Sequence, residues 1–306
     1  MTPHPQVEAL RRERLRSGAR PLHELSVSEA RSRTTSPPGP VQPVATVRDL
    51  SIPGPAGDLP IRLYVPAHGA SGVLVWFFGG GWALGSIDVS DGVCRRLAHA
   101  TPCAVVAVGY RLAPEHPFPA AVEDCYAATR WVAEHGRDLG VDPARLAVGG
   151  TSAGGNLAAA VTLAALERGG PTLAFQVLIY PPMNHRADTP SLRQSAGGDF
   201  FDRRSIAWCW SHYLAREADG NDPLASPLRA RNVRGVPAAL VVTADADPLR
   251  DEGELYAVKL AAAGVPTELV RYGGMEHGFF GLTGVLDAAA EAQAQVAAAL
   301  RTAFGH

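Results

Sequence analysis

The chain is short of the features that mark several whole classes of protein. Of its 28 basic residues only Lys259 is a lysine, and no stretch gathers positive charge into a stripe. With 30 acidic residues against them the formal net charge is −2, so nucleic acid is not an expected partner. Four cysteines (Cys94, Cys103, Cys125 and Cys209) lie far apart, with no Cys-x-x-Cys and no Cys/His cluster at zinc-ligand spacing. That excludes a disulfide scaffold and gives no reason to expect a metal. Scattered thiols in a chain of this size are usually small buried hydrophobes. The longest apolar run, near 157–166, is too short and too interrupted to span a bilayer. The first twenty residues contain no apolar core of a secretory signal. A soluble chain in the reducing cytoplasm is the expectation.

What is present is ample core material: 46% of the 306 residues are hydrophobic and 19% charged. Residues 1–45 form a polar, Arg-rich arm with helical spacing at Val7, Leu10 and Leu15. The arm ends in the linker Ser36-Pro37-Pro38-Gly39-Pro40. The periodicity then changes. Strands are predicted at 46–52 and 59–65, joined by a Pro/Gly turn. Apolar runs at 73–78 and 104–108 read as strands buried on both faces, with further strands at 145–148, 175–179, 238–243 and 267–271. Helical stretches fall between them, near 91–100, 120–135, 153–167, 251–263 and 285–304. This alternation predicts a mostly parallel sheet covered by helices on both faces, an α/β fold. Residues 183–227 break the pattern. They hold Phe200, Phe201, Trp208, Trp210 and Tyr213 at helical spacing and read as a helical insertion dividing the core into 46–182 and 228–306.

Four segments of this frame can carry chemistry. Gly150-Thr151-Ser152-Ala153-Gly154 matches Gly-x-Ser-x-Gly, with a strand running in and a helix-forming run leading out. That context exposes a serine hydroxyl at a helix N-terminus, and the flanking glycines spare the sharp turn two Cβ atoms. A serine needs a base. Of ten histidines, His277 alone lies in a glycine-flanked loop after the last predicted strand, where a sheet presents a base. A third, acidic member is expected at a strand end. Asp-Pro-Leu occurs twice, but Asp222 lies in the irregular stretch, whereas Asp247 follows the apolar strand. The competing reading of Asp247 is a helix cap before Pro248. Asp251 and Glu252 read as first-turn helix acids. Finally, Phe78-Gly79-Gly80-Gly81-Trp82 ends a buried strand. Its three glycines can turn backbone N–H groups toward a developing oxyanion, with Phe78, Gly79 and Trp82 supporting the loop.

Together these segments resemble the hormone-sensitive-lipase-like branch of the α/β-hydrolases, a group of bacterial esterases. The resemblance runs from about residue 45 to the C-terminal region. The family's His-Gly-Gly-Gly loop appears as Phe78-Gly79-Gly80-Gly81. Its Tyr-Arg-Leu-Ala-Pro-Glu stretch is Tyr110–Glu115, its Gly-Asp-Ser-Ala-Gly-Gly motif is Gly150–Gly155 with Thr151 for aspartate, its Asp-Pro-Leu-x-Asp-Glu block is Asp247–Glu252, and its His-Gly-Phe is His277–Phe279. The resemblance implies Ser152 as nucleophile, with Asp247 and His277 completing a triad. It implies an oxyanion hole from the backbone of Gly80, Gly81 and Ala153, and a cap built from the arm and the insertion. It implies no cofactor, a small ester of short to medium acyl chain as substrate, and a monomer or homodimer. Phe78 offers no hydrogen bond where the family has a loop histidine, so its ring is expected to brace the loop by packing. The same site also suits a lactonase, an amidase or formamidase, or a biosynthetic deacetylase or acyltransferase. A non-catalytic ligand-binding receptor on this fold is the distant alternative, and it has no need of all three triad residues.

Overall fold

The computed structural model describes residues 3–37, 39–195 and 200–306. Residues 1 and 2 of the arm, Pro38 of the linker and 196–199 of the insertion lie outside the described residues. The strands are β1 Thr46–Gly54, β2 Gly57–Val65, β3 Gly72–Phe77, β4 Cys103–Val108, β5 Leu146–Thr151, β6 Phe175–Ile179, β7 Ala238–Ala246 and β8 Thr267–Glu276. They form one eight-stranded sheet in the order β1-β2-β4-β3-β5-β6-β7-β8. β1 pairs antiparallel with β2 and β2 antiparallel with β4, and every pair from β4 to β8 is parallel.

The helices are α1 Pro5–Arg16, α2 Val27–Arg33, α3 Ile87–Ala100, α4 Ala120–His135, α5 Ala153–Arg168, α6 Pro190–Gln194, α7 Arg203–Tyr213, α8 Arg250–Ala262 and α9 Asp287–Ala303. The continuous apolar runs of β3 and β4 are explained by cover on both sides. Val73, Val75 and Phe77 face a core shared with α4, α5 and α8, while Leu74 and Trp76 face a second core shared with α3 and α9. The order of strands places the C-terminal ends of β3, β5, β6, β7 and β8 along one edge of the sheet, which is where parallel α/β sheets present their ligands.

Several boundaries differ from the sequence reading, among them those of α3, β3 and β8. α3 starts at Ile87 rather than near 91, because Ser86 caps it by accepting the Val89 N–H at 3.3 Å. β3 stops at Phe77, leaving Phe78 in the loop. β8 runs on through Gly273 and Gly274, which read as loop in the sequence. The strand resumes pairing with β7 at Glu276 after an irregularity, so His277 follows the strand directly.

The arm is docked by charge. Arg31 of α2 donates to the carbonyls of Ala83 and Ala113, both at 2.9 Å, and pairs with Glu115 through two 2.7 Å contacts. Arg11 and Arg14 of α1 reach Glu276 at 3.0 and 2.6 Å. Val7, Leu25 and Ala30 of the arm are buried. The Arg31 hydrogen bonds to the two backbone carbonyls contribute about 1.5–3 kcal/mol each, and the more exposed ion pairs about 0–1 kcal/mol each. Deleting residues 1–40 therefore lowers the melting temperature by at least about 5 °C, on a scale of about 2–4 °C per kcal/mol. Calorimetry of the truncated chain checks this, and an unchanged melting temperature contradicts it.

Candidate active site

β5 delivers Ser152 into a turn with φ 54° and ψ −121°, a region that residues with a side chain rarely occupy. Space dictates the flanking glycines: a Cβ on Gly154 would run into the Phe77 carbonyl, and one on Gly150 into Phe77 and the Gly154 backbone. The Ser152 N–H donates to the Ile179 carbonyl at 2.8 Å, and the Ser152 carbonyl accepts the Asn156 N–H at 3.0 Å. The turn is thus tied to β6 and α5 on either side.

His277 leaves β8 with Nε2 2.9 Å from Ser152 Oγ and Nδ1 2.7 Å from Asp247 Oδ2. Asp247 is the first residue past β7 and is 2% exposed. Its second oxygen accepts the Leu249 N–H at 2.8 Å. α8 begins at Arg250 with Leu249 at its cap position, so Asp247 is not that helix's cap residue. Asp222 is exposed, at the end of a short 3₁₀ turn, and its carboxylate accepts the Leu224 N–H at 2.8 Å. Of the two Asp-Pro-Leu copies, the structure brings Asp247 to His277.

Two aromatic residues that the sequence reading did not assign to the site fix the imidazole. Phe201 stacks on it at 4.3 Å and 13°, and Tyr180, at φ 37°, packs at 4.7 Å and 57°. Phe201 belongs to an aromatic cluster visible in the insertion, but nothing in its spacing points at His277. Tyr180 carries no such signal beyond following β6.

On the glycine loop, Phe78 is buried and stacks on Tyr110 at 4.2 Å and 16°, and the Tyr110 hydroxyl donates to the Phe78 carbonyl at 2.8 Å. Packing therefore takes the place of a side-chain hydrogen bond at this position. A Cβ on Gly79 would stand 2.8 Å from the Thr151 carbonyl, so this loop and the Ser152 turn lie against each other. Gly80, Gly81, Ser152 and His277 help to line a cavity of 290 Å³. Apolar side chains, among them Trp82, Leu84, Val93, Ile206 and Trp210, line the rest of it. Ala153, the residue after Ser152, is buried at the first position of α5, where an N–H has no partner within the helix. A second cavity of 380 Å³ meets Asp247 and His277 from the side of Arg11, Arg14 and Glu276 and does not reach Ser152. Among the described residues no group of three or more His, Cys, Asp or Glu is placed to hold a metal ion. No described helix is long and apolar enough to cross a membrane.

Glu252, read from the sequence as a first-turn helix acid, does more than that. It is 1% exposed, and Oε2 accepts the N–H groups of Met183 and Asn184, both at 2.7 Å. Its neighbour Asp251 accepts the Ser191 N–H at 2.7 Å. The block after Asp247 thus ties down the start of the insertion. Burial, opposed by those two hydrogen bonds, pushes the Glu252 carboxyl up to about 8.

Residues 74–281 match a family described as having the alpha/beta hydrolase fold. Esterase LipI of Mycobacterium tuberculosis is 45% identical over 271 residues, covering 87% of this chain and 84% of that protein. Carboxylesterase NlhH of the same organism is 40% identical over 287 residues, covering 92% and 90%. A hyperthermophilic esterase from the archaeon Pyrobaculum calidifontis is similar in structure, with a TM-score of 0.92 and 39% identity over 99% of each chain. The chain belongs to the α/β-hydrolase fold family, in its hormone-sensitive-lipase-like branch of bacterial esterases. Its class is that of the carboxylesterase-type serine hydrolases.

Two predictions follow from the packing. Phe78→Ala opens a cavity beside Tyr110 and costs about 3–5 kcal/mol of stability, with a fall in kcat as the loop loosens. Denaturant unfolding and turnover check this, and parental values of both contradict it. The second concerns Glu252. Below about pH 4.5 it is protonated whether the chain is folded or not. From there to about pH 8 the unfolded chain releases the proton and the folded chain keeps it, so stability falls as pH rises through that window. Glu252→Gln keeps an acceptor for both N–H groups and removes the titration. The variant's melting temperature then varies less than the parent's between pH 5 and 8, and exceeds it at pH 8. Parallel curves contradict this.

Proposed function

We propose that Ser152, His277 and Asp247 act as nucleophile, base and orienting acid in the hydrolysis of carboxylic esters with short to medium acyl chains. The observation that carries this reading is the unbroken run of contacts from Ser152 Oγ through both imidazole nitrogens to Asp247, at 2.9 and 2.7 Å. His277 Nε2 takes the hydroxyl proton as Oγ attacks the ester carbonyl carbon. The negative charge that develops on the carbonyl oxygen is met by the backbone N–H groups of Gly80, Gly81 and Ala153. His277 returns the proton to the leaving alcohol, and the acyl group remains on Ser152. Water, deprotonated by His277, releases the acid. Asp247 holds the imidazole in the tautomer that leaves Nε2 free and stabilises its charge when protonated.

The acyl-chain range rests on the cavity, whose 290 Å³ is at the small end for small-molecule sites and whose walls are mostly apolar. The arm to residue 45 and the insertion 183–227 act as the cap. In support, Leu22, Thr34 and Pro37 of the arm and Ile206, Cys209 and Trp210 of the insertion line the cavity. The partner is a small ester and the chain works as a monomer or homodimer. The reading places it in the cytoplasm, in keeping with four buried, unpaired thiols.

Substitution tests the roles. Ser152→Ala leaves the fold intact and lowers kcat on the order of 10⁴-fold or more, since triad members act as a unit. Asp247→Asn lowers kcat by roughly 10⁴ through the wrong histidine tautomer, whereas Asp222→Asn retains parental turnover. Steady-state kinetics on a p-nitrophenyl ester of short acyl chain reads all three. A dead Asp222→Asn enzyme, or an active Ser152→Ala enzyme, overturns the assignment.

A further inference from the structure

Gly80, Gly81 and Trp82 adopt φ values of 128°, 58° and 59° in succession. Three consecutive residues on the positive side of φ do not hold themselves in place, and two of them have no side chain to anchor. What presses on the loop must fix it. On the strand side that is Tyr110 against Phe78 and Thr151 against Gly79. On the other side it is the insertion. A Cβ on Gly81 would run into Cys209 Sγ and stand 3.0 Å from Cys209 Cβ. Trp82, 1% exposed, stacks flat on Tyr213 at 4.1 Å and 3°, and meets Trp210 at 4.5 Å and 46°. All three contacts come from α7.

We propose that α7 holds the oxyanion loop in its working shape, with Cys209 as the positioning residue that abuts Gly81 and with Trp210 and Tyr213 clasping Trp82. The proposal rests on the assignment of Gly80 and Gly81 as oxyanion donors. α7 is itself braced. Asp202 caps it by accepting the Ser205 N–H at 2.9 Å, and Trp208 Nε1 donates to the Leu25 carbonyl of the arm at 3.1 Å. The Phe118 N–H donates to the Tyr213 carbonyl at 2.7 Å, and the Ala113 N–H to the Trp82 carbonyl at 2.9 Å, tying both partners of the clasp to the segment before α4. Cys209 is 4% exposed, and burial pushes its thiol up to about 12, so at neutral pH it is a small uncharged filler and not a second nucleophile. Its size is what matters. An oxyanion donor works only within about 2.7–3.1 Å of the developing charge, so a few tenths of an ångström at Gly81 reach the transition state directly.

A double-substitution cycle tests the contact. Gly81→Ala drives a methyl group into the thiol and lowers kcat by about 100-fold or more. Cys209→Ala removes the sulfur. Placed in the Gly81→Ala background, it restores kcat by at least about tenfold, because the two positions share one space. Ki for a boronic acid, which forms a tetrahedral adduct on the serine, moves in parallel with kcat, while KM changes by less than about threefold. A merely structural role would lower the melting temperature without this coupling. Cys209→Val, which crowds Gly81 without touching the loop's own sequence, lowers kcat and boronate affinity together by about tenfold or more. Strictly additive effects in the cycle, or a Cys209→Val enzyme with parental kcat and Ki, overturn the proposal. A parent inactive on esters, or one whose activity survives Ser152→Ala, brings down the site assignment and this inference with it. An active parent with additive substitutions brings down the inference alone.

Discussion

The site depends on how closely two backbones approach at the centre of the sheet. β3 and β5 pair in parallel from Val73 against Leu146 to Phe77 against Gly150, and both chains turn immediately afterwards. The turn after β5 passes so near the end of β3 that a single Cβ at Gly154 would collide with the Phe77 carbonyl. This approach sets the glycine loop beside Ser152. It also explains why the serine is flanked by glycines and why its own backbone is strained, since the turn must reverse direction without side chains between the two strands. The imidazole and its carboxylate then arrive from β8 and β7, whose ends lie along the same edge.

Around that centre the arm and the insertion are joined to the core by several polar contacts, three sets of which bear on the site. Arg11 and Arg14 close on Glu276, the residue before His277. Arg31 closes on Glu115 and on the carbonyls of Ala83 and Ala113. Asp251 and Glu252 hold backbone N–H groups at the start of the insertion, four and five residues after Asp247. The elements that wall the cavity are thus tied to the chain segments that carry the reacting groups.

Much of this was legible in the sequence. Buried parallel strands announce themselves as continuous apolar runs, and Gly-x-Ser-x-Gly between a strand and a helix has one geometric meaning. Asp247 was separable from Asp222 because only one of them follows an apolar strand. Other features carry no one-dimensional signal. Phe201 and Tyr180 meet His277 from segments remote in sequence. Cys209 meets Gly81 across 128 residues, and a cysteine on a helix face looks the same whether it fills a core or props a loop. Gly273 and Gly274 imitate a loop, yet they form an irregularity inside the strand, which pairs with β7 again at Glu276. Glu252 imitates an exposed first-turn acid. Its burial follows from the insertion folding over it, a tertiary event that helix position does not report.

The central claim is that one serine, activated through His277 and Asp247, attacks an acyl carbonyl beside the glycine loop. Intact mass and peptide mapping after brief exposure of the folded protein to a fluorophosphonate test it most directly. The account predicts one adduct per chain on the peptide containing Ser152, and none in the folded Ser152→Ala variant. A folded parent that takes up no label, or that carries it on a different residue, contradicts the account.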